Sequence, residues 1–216
     1  MIVTIDGPAG SGKSTAARGL AARLGFEFLD TGAMYRAVAM ALTRASIDFA
    51  DESRAGVHLT MLHIEMPPGR IVLNGEDISK TIRTPEIASA SSKVAAYGYV
   101  RNYLVKQQQE IARGRDLVTE GRDQGTVVFP NAECKFFLTA STHARAQRRY
   151  EEMRRRDLDV AFDDVLAEQE ERDRRDSSRT ISPLRPAEDA FVIDTSDMTI
   201  EQVIDRLEGE VRRCRG

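Results

Sequence analysis

The run Gly7-Pro8-Ala9-Gly10-Ser11-Gly12-Lys13-Ser14-Thr15 constrains this chain more than any other stretch, because it satisfies G-x-x-x-x-G-K-[ST] at every fixed position. It follows the apolar run Ile2-Val3-Thr4-Ile5, which reads as a buried strand. It precedes residues 16–24, where Leu20 and Leu24 keep helical spacing. Strand, glycine loop and helix in that order turn a bare pattern into a P-loop. Its three glycines let successive backbone N–H groups turn into one hollow with no Cβ in the way. The positive end of the following helix adds to the same field. On this reading Gly7 to Thr15 cradle the phosphates of ATP, Lys13 reaches the β- and γ-phosphates, and the Ser14 hydroxyl ligates the Mg²⁺ that accompanies them.

The whole chain narrows the class. At 216 residues it suits a single domain, 1–216, with a real core and small inserts. A formal charge of −3 argues against a general nucleic-acid binder, which carries a strong basic excess. Cys134 and Cys214 lie far apart and suggest no disulfide framework, which fits a reducing cytosol. His58, His63 and His143 show no metal-ligand spacing with them. The chain enters a strand at once, so no signal peptide is expected, and no apolar run approaches the length of a membrane span. The expectation is a cytoplasmic monomer with neither nucleic acid nor membrane as partner.

Strands and helices alternate along the sequence. Phe26-Glu27-Phe28-Leu29 reads as a second short strand, and Thr31 as the N-cap of a helix running to about Arg44. Residues 51–63 read as another helix, with Val57, Leu59 and Leu62 toward the core. The period then changes. Residues 62–66, a Pro67-Pro68-Gly69 turn and residues 70–75 predict an antiparallel hairpin inserted between helices. Pro85 opens the next helix, and Gly98 breaks it before a longer one that stops at Gly114. Leu117-Val118-Thr119, residues 134–138 and residues 190–193 read as further strands, and residues 142–156 and 162–175 as helices. Thr199 with Gln202 forms a capping box for a last helix that buries Ile200, Val203, Ile204, Leu207 and Val211. This alternation predicts a parallel, doubly wound α/β sheet. Ligands in such sheets bind beyond the carboxyl ends of the strands, which here carry the P-loop, Asp30-Thr31-Gly32 and Glu120-Gly121-Arg122-Asp123.

Residues 143–185 hold eleven arginines and eleven Asp or Glu, a balance that excludes a polybasic tail and reads mostly as a solvated face laced with ion pairs. Two subsets differ. Arg145, Arg148 and Arg149 share one helix face, where like charges repel unless an anion lies among them. Arg172, Arg175, Asp176 and Arg179 share another if their helix continues past Arg175. The short polar stretch between the two helices, with Arg154, Arg155 and Arg156, has the character of a mobile lid, placed at about 148–163. ATP alone needs the P-loop and one or two cations. Arg36, Arg122 and the face from Arg172 to Arg179 imply a second anionic substrate, so the residues point to a P-loop kinase whose acceptor carries a phosphate.

With these segments assembled, the sequence resembles the bacterial cytidylate kinases, nucleoside-monophosphate kinases with a core like that of adenylate kinase. The likeness is carried by the P-loop with Ile5 and Asp6 before it, by Asp30-Thr31-Gly32-Ala33-Met34-Tyr35-Arg36, and by Val72-Leu73-Asn74-Gly75-Glu76-Asp77 with Ile82-Arg83. It continues through Gly121-Arg122-Asp123 with Gly125-Thr126-Val127-Val128-Phe129-Pro130, and Glu171-Arg172-Asp173 with Asp176, Arg179 and Pro183-Leu184. The resemblance implies a three-layer P-loop kinase fold with a parallel central sheet, a monophosphate-binding region at about 31–101 containing the β insert 62–75, and a short helical lid. It implies transfer of the γ-phosphoryl of MgATP to CMP or dCMP. Lys13, Arg122 and Arg179 would be catalytic. Thr31, Arg36, Arg122 and Arg179 would hold the acceptor phosphate or the moving phosphoryl. Ser92, Arg101 and Asp123 would read the cytosine edge, Arg172 and Asp176 would contact the sugar, and Arg148, with Arg145 or Arg149 as alternatives, would face ATP from the lid. The chain departs from the family pattern at Gln124, at Tyr97-Gly98-Tyr99 and at Gln109. Alternatives are a small P-loop kinase acting on UMP, AMP or a phosphorylated metabolite, a switch GTPase, disfavoured because the chain has no Asn-Lys-x-Asp stretch, and a non-catalytic nucleotide-binding module.

Overall fold

The structure is a computed structural model that describes residues 1–155 and 157–215. Arg156, expected at the end of a helix, lies outside the described residues. In chain order the elements are β1 (Ile2–Asp6), α1 (Lys13–Leu24), β2 (Glu27–Asp30), α2 (Thr31–Arg44), α3 (Glu52–Thr60), β3 (Ile64–Glu65), β4 (Val72–Leu73), β5 (Glu76–Asp77), α4 (Pro85–Val94) and α5 (Gly98–Ala112). They continue as β6 (Leu117–Gly121), β7 (Cys134–Thr139), α6 (Thr142–Arg154), α7 (Phe162–Ser177), β8 (Phe191–Asp194) and α8 (Ile200–Arg215). The chain divides into two compact units, one formed by Met1–Phe28 with Arg115–Gly216 and the other by Leu29–Gly114.

The first unit contains β6, β1, β7 and β8 of a five-stranded sheet whose order is β2-β6-β1-β7-β8. β1 pairs in parallel with β6 and β7, and β7 in parallel with β8. Strands covered on both faces lose the polar alternation of a half-exposed sheet, and every residue of β6 is buried. The main core joins Val3 and Ile5 of β1 to Leu20 of α1, Phe136 and Leu138 of β7, and Val203, Leu207 and Val211 of α8. Each fully buried Leu, Val or Phe side chain contributes about 1.5–3 kcal/mol of transfer free energy. The capping box forms as expected: Thr199 N–H donates to Gln202 Oε1 at 2.9 Å, and Gln202 N–H donates to Thr199 Oγ1 at 3.3 Å. Cys134 and Cys214 are free thiols.

In the second unit α2 packs on α4 and α3 on α5. Three corrections to the sequence reading fall here. Asp30, not Thr31, caps α2: its Oδ1 accepts the Ala33 N–H at 2.8 Å, and Thr31 is the first helical residue. Val57 is 62% exposed, because the short α3 turns only Ala55 and Leu59 inward. The expected hairpin is present as β3 and β4, and a third antiparallel strand, β5, extends it. The extra strand follows from Asn74-Gly75. Both residues have positive φ, 50° and 83°, the geometry of a two-residue hairpin turn whose twist matches its flanking strands.

Candidate active site

The parallel register brings the loops together before any side chain is considered. Asp6 lies opposite Gly121, so the P-loop after β1 and the Arg122-Asp123 turn after β6 leave the same edge of the sheet. Gly7 is required by close approach, since a Cβ there would lie 2.1 Å from the Leu138 carbonyl oxygen. Lys13 opens α1 and is buried. Its Nζ donates to the Pro8 carbonyl at 3.0 Å and stands 3.9 Å from the Glu120 carboxylate. Ser14 Oγ donates to Glu120 Oε1 at 2.8 Å.

Glu120 was not singled out as a site residue from the sequence. The signal for it was present: an apolar strand, Leu117-Val118-Thr119, that ends on an acid beside the P-loop strand. Thr195 left no such signal. Its Oγ1 lies 3.2 Å from the Ser11 carbonyl oxygen and 3.0 Å from that of Thr139, tying the P-loop to the ends of β7 and β8.

Arg145, Arg148 and Arg149 of α6 each have protein partners. Arg145 is 3% exposed and uses its whole guanidinium inside the protein. It donates to the Ala140 and Ala9 carbonyls at 2.9 and 3.1 Å, to Thr142 Oγ1 at 3.0 Å, and to both Asp173 oxygens at 2.9 and 2.6 Å. The Ala9 carbonyl also accepts from Gln169 Nε2 at 2.9 Å, so α6 and α7 hold one P-loop oxygen between them. Arg148 donates to the Thr195 carbonyl, and Arg149 to Glu152 at 3.0 Å.

α7 does continue past Arg175, to Ser177. Asp176 is buried between two guanidinium groups: Arg122 Nε donates to its Oδ2 at 2.8 Å, and Arg179 pairs with its Oδ1. Burial alone would raise this carboxyl, but Arg122 and Arg179 overcome it and hold the pKa at about 2. Lys13 feels the same group of charges. Burial first, then Arg122 and Arg172, pull its ammonium down to about 7, against Glu120 and Asp176. Lys13, Arg122, Arg172, Asp176 and Arg179 therefore form one electrostatic unit, with Asp123 buried beside it in the chain.

The remaining site candidates belong to the second unit. Arg36 pairs with Asp30 at 3.3 Å. Thr31, Ser92 and Arg101 are all buried. Arg101 donates to the Ala95 carbonyl at 3.3 Å, with its guanidinium 5.9 Å from the Tyr35 ring centroid, which brings α5 against α2. The Ser92 hydroxyl and Arg36 Nε are buried without a hydrogen-bond partner among the described residues. Buried polar atoms are normally paired, so such groups are candidates for meeting a ligand.

A parallel sheet, a glycine loop with its lysine at a helix start, and arginines supplied from other strand ends make this a P-loop kinase fold. Shikimate kinase from Bacteroides thetaiotaomicron shares that fold, with a TM-score of 0.51 at 10% identity over 98% of each chain. The sequence model described as cytidylate kinase matches residues 3–213, and the chain belongs to that family. The cytidylate kinase of Thermosipho melanesiensis is 49% identical over 205 residues, 95% of this chain and 94% of that protein. That of Caldanaerobacter subterraneus subsp. tengcongensis is 46% identical over 211 residues, 98% of this chain and 94% of the relative. Family membership makes the protein a nucleotide-dependent phosphotransferase. Among the described residues no helix is long and apolar enough to cross a membrane.

Proposed function

We propose that the protein transfers the γ-phosphoryl of MgATP to CMP or dCMP, giving ADP and CDP or dCDP. The observation that carries the reading is the charge group around Lys13, which supplies more cations than one triphosphate requires: Arg122, Arg172 and Arg179 stand with Lys13 in the first unit. Such an array suits a reaction that must hold two phosphate groups in line and neutralise charge on the moving one. The P-loop amides from Gly7 to Thr15 and Lys13 take the ATP phosphates, with Arg148 on the same nucleotide. Thr31, Arg36, Arg122 and Arg179 take the acceptor phosphate, and Arg172 and Asp176 the sugar. Ser92, Arg101 and Asp123 read the base; a carboxylate accepts from the exocyclic amine and a guanidinium donates to the carbonyl side. The attacking oxygen is an anion at neutral pH, so no general base is needed. Residues 31–101 serve as the monophosphate region and 148–163 as the lid, and the protein acts as a cytoplasmic monomer.

Mg²⁺ would be held by the Ser14 hydroxyl, with the Glu120 carboxylate beside it. Both are hard oxygen donors, and Mg²⁺ takes one or two protein oxygens together with substrate phosphates and water. When bound it neutralises charge on the phosphate oxygens. The reading is tested by ADP release from ATP with CMP, dCMP, UMP and AMP in turn; faster turnover with UMP or AMP than with CMP would overturn it.

Two further outcomes are expected. Asp123→Ala removes a desolvated partner of the base, at a cost of about 1–3 kcal/mol. That lowers kcat/KM for CMP roughly ten- to a hundredfold while leaving the KM for ATP within about twofold. Equal losses for both nucleotides would remove Asp123 from base reading. Separately, Lys13 titrates near 7 without nucleotide, and a triphosphate beside it raises that pKa. At pH 8 ATP binding is therefore expected to take up close to one proton, about the neutral fraction of Lys13, and ATP affinity to fall as pH rises from 7 to 9. Calorimetry in buffers of different ionisation enthalpy measures the uptake; none at pH 8 would mean that Lys13 is already charged before ATP arrives.

A further inference from the structure

Asp6 closes β1 and immediately precedes the P-loop, and its carboxylate binds the backbone of a different loop. It is 4% exposed. Oδ1 accepts the Gln124 N–H and Oδ2 the Gly125 N–H, each at 2.8 Å. These amides open the wide helical turn Gln124–Val128, which directly follows Arg122 and Asp123. The first N–H groups of any helical turn lack partners within it. Asp123 occupies the cap position but makes no capping bond with its side chain, so a residue 118 positions away supplies the cap instead. The fit is close. A Cβ on Gly125 would lie 3.0 Å from Thr4 Oγ1, 3.3 Å from Lys135 Cδ and 3.5 Å from Asp6 Oδ2. The Gln124 side chain, where this chain departs from the family pattern, is held too, its Oε1 accepting from Thr119 Oγ1 at 2.9 Å.

We propose that Asp6 is a positioning residue for the acceptor nucleotide: by holding the amides of Gln124 and Gly125, it fixes Arg122 and Asp123 relative to the phosphate loop that begins one residue later. The inference rests on the reading that Arg122 and Asp123 touch the acceptor. Asp6 touches neither substrate. Its effect comes through geometry, where a displacement of about 1 Å is enough to cost two orders of magnitude in rate.

Asp6→Asn is the direct test, because it keeps the size of the side chain while replacing one acceptor oxygen by a donor that faces an amide N–H. The expected result is a roughly tenfold rise in the KM for CMP, the scale of one buried hydrogen bond lost, with the KM for ATP within about twofold. A merely structural role would lower the active fraction, and so kcat, and leave both KM values alone; that result overturns the proposal. If the variant does not fold, the wild-type protein supplies the readout. Burial, with Asp123 adding to it, lifts the Asp6 carboxyl to about 7 against the two amide bonds and Lys13. Arg122 and Lys135 are the other charged groups near it. As pH falls from 8 to 6 the carboxylate is protonated and accepts the two amides more weakly. The KM for CMP is then expected to rise by more than protonation of the CMP phosphate explains, while the KM for ATP does not rise. A KM for CMP that follows the phosphate alone overturns the proposal. Absence of CMP turnover by the wild-type protein would defeat the acceptor reading and this inference together; CMP turnover with an unmoved KM in Asp6→Asn defeats this inference alone.

Discussion

A Lys13→Ala protein is expected to fold and to lose roughly 10²–10³-fold in kcat with CMP, the scale seen when one preorganised donor is removed from a developing negative charge. The fold should survive because Lys13 adds little to it. Its amine is desolvated, and burial with Arg122 and Arg172 has drawn its pKa to about 7, so at neutral pH it is charged only part of the time. Its remaining bonds are to the Pro8 carbonyl and, at 3.9 Å, to Glu120, which retains the Ser14 hydroxyl as a partner. The amides of the loop and the start of α1 still face the phosphates, so ATP binds, more weakly. Single-turnover kinetics separate the two effects. Wild-type kcat in this variant would show that Lys13 does not meet the transferred group.

The second large effect concerns stability. Asp176 is a buried carboxylate between Arg122 and Arg179, and its removal leaves two guanidinium groups facing each other in a poorly solvated space. Breaking a buried ion pair from one side costs about 3–5 kcal/mol, so Asp176→Ala should lower the urea midpoint by that equivalent. The pH dependence has a definite sign. The carboxyl titrates near 2 in the folded protein against 3.8 for a free aspartate. The stabilisation is therefore complete above about pH 4 and is lost as pH falls through 2. Sulfate or CMP should restore part of the loss in Asp176→Ala, because an anion between the two arginines binds the folded state alone. An unchanged midpoint would mean that water reaches and screens the pair.

What the sequence made legible was local. The P-loop, the capping box at Thr199 and the helix opened by Pro85 each depend on residues within a few positions of one another, and all three are present. Asn74-Gly75 was equally local and equally readable, but continuing the strand through it concealed β5. The fate of the charged residues was a different problem. Helical spacing put Arg145, Arg148 and Arg149 together; it also offers Arg149 its i, i+3 partner Glu152, but Asp173 and Thr195, the partners of Arg145 and Arg148, are set by how helices and strand ends pack, and periodicity carries no information about that. The contacts of Asp6 and Thr195 were out of reach for the same reason, since each meets a loop more than a hundred residues away. Asp176 showed the intermediate case. Its place on one face with Arg172 and Arg179 was evident from the spacing, and Arg179 does pair with it, yet Arg122, from the end of β6, comes to it only through the fold.

The double grip on the Ala9 carbonyl has a practical corollary for chimeras. Arg145 and Gln169 come from the helices on either side of residues 155–161, and both end on the same backbone oxygen. Exchanging that connecting segment for one from a distant kinase, with its flanking helices, would swap the brace of the nucleotide cradle along with it. A graft that omits either side chain would release the tip of the cradle even though every glycine in it is retained.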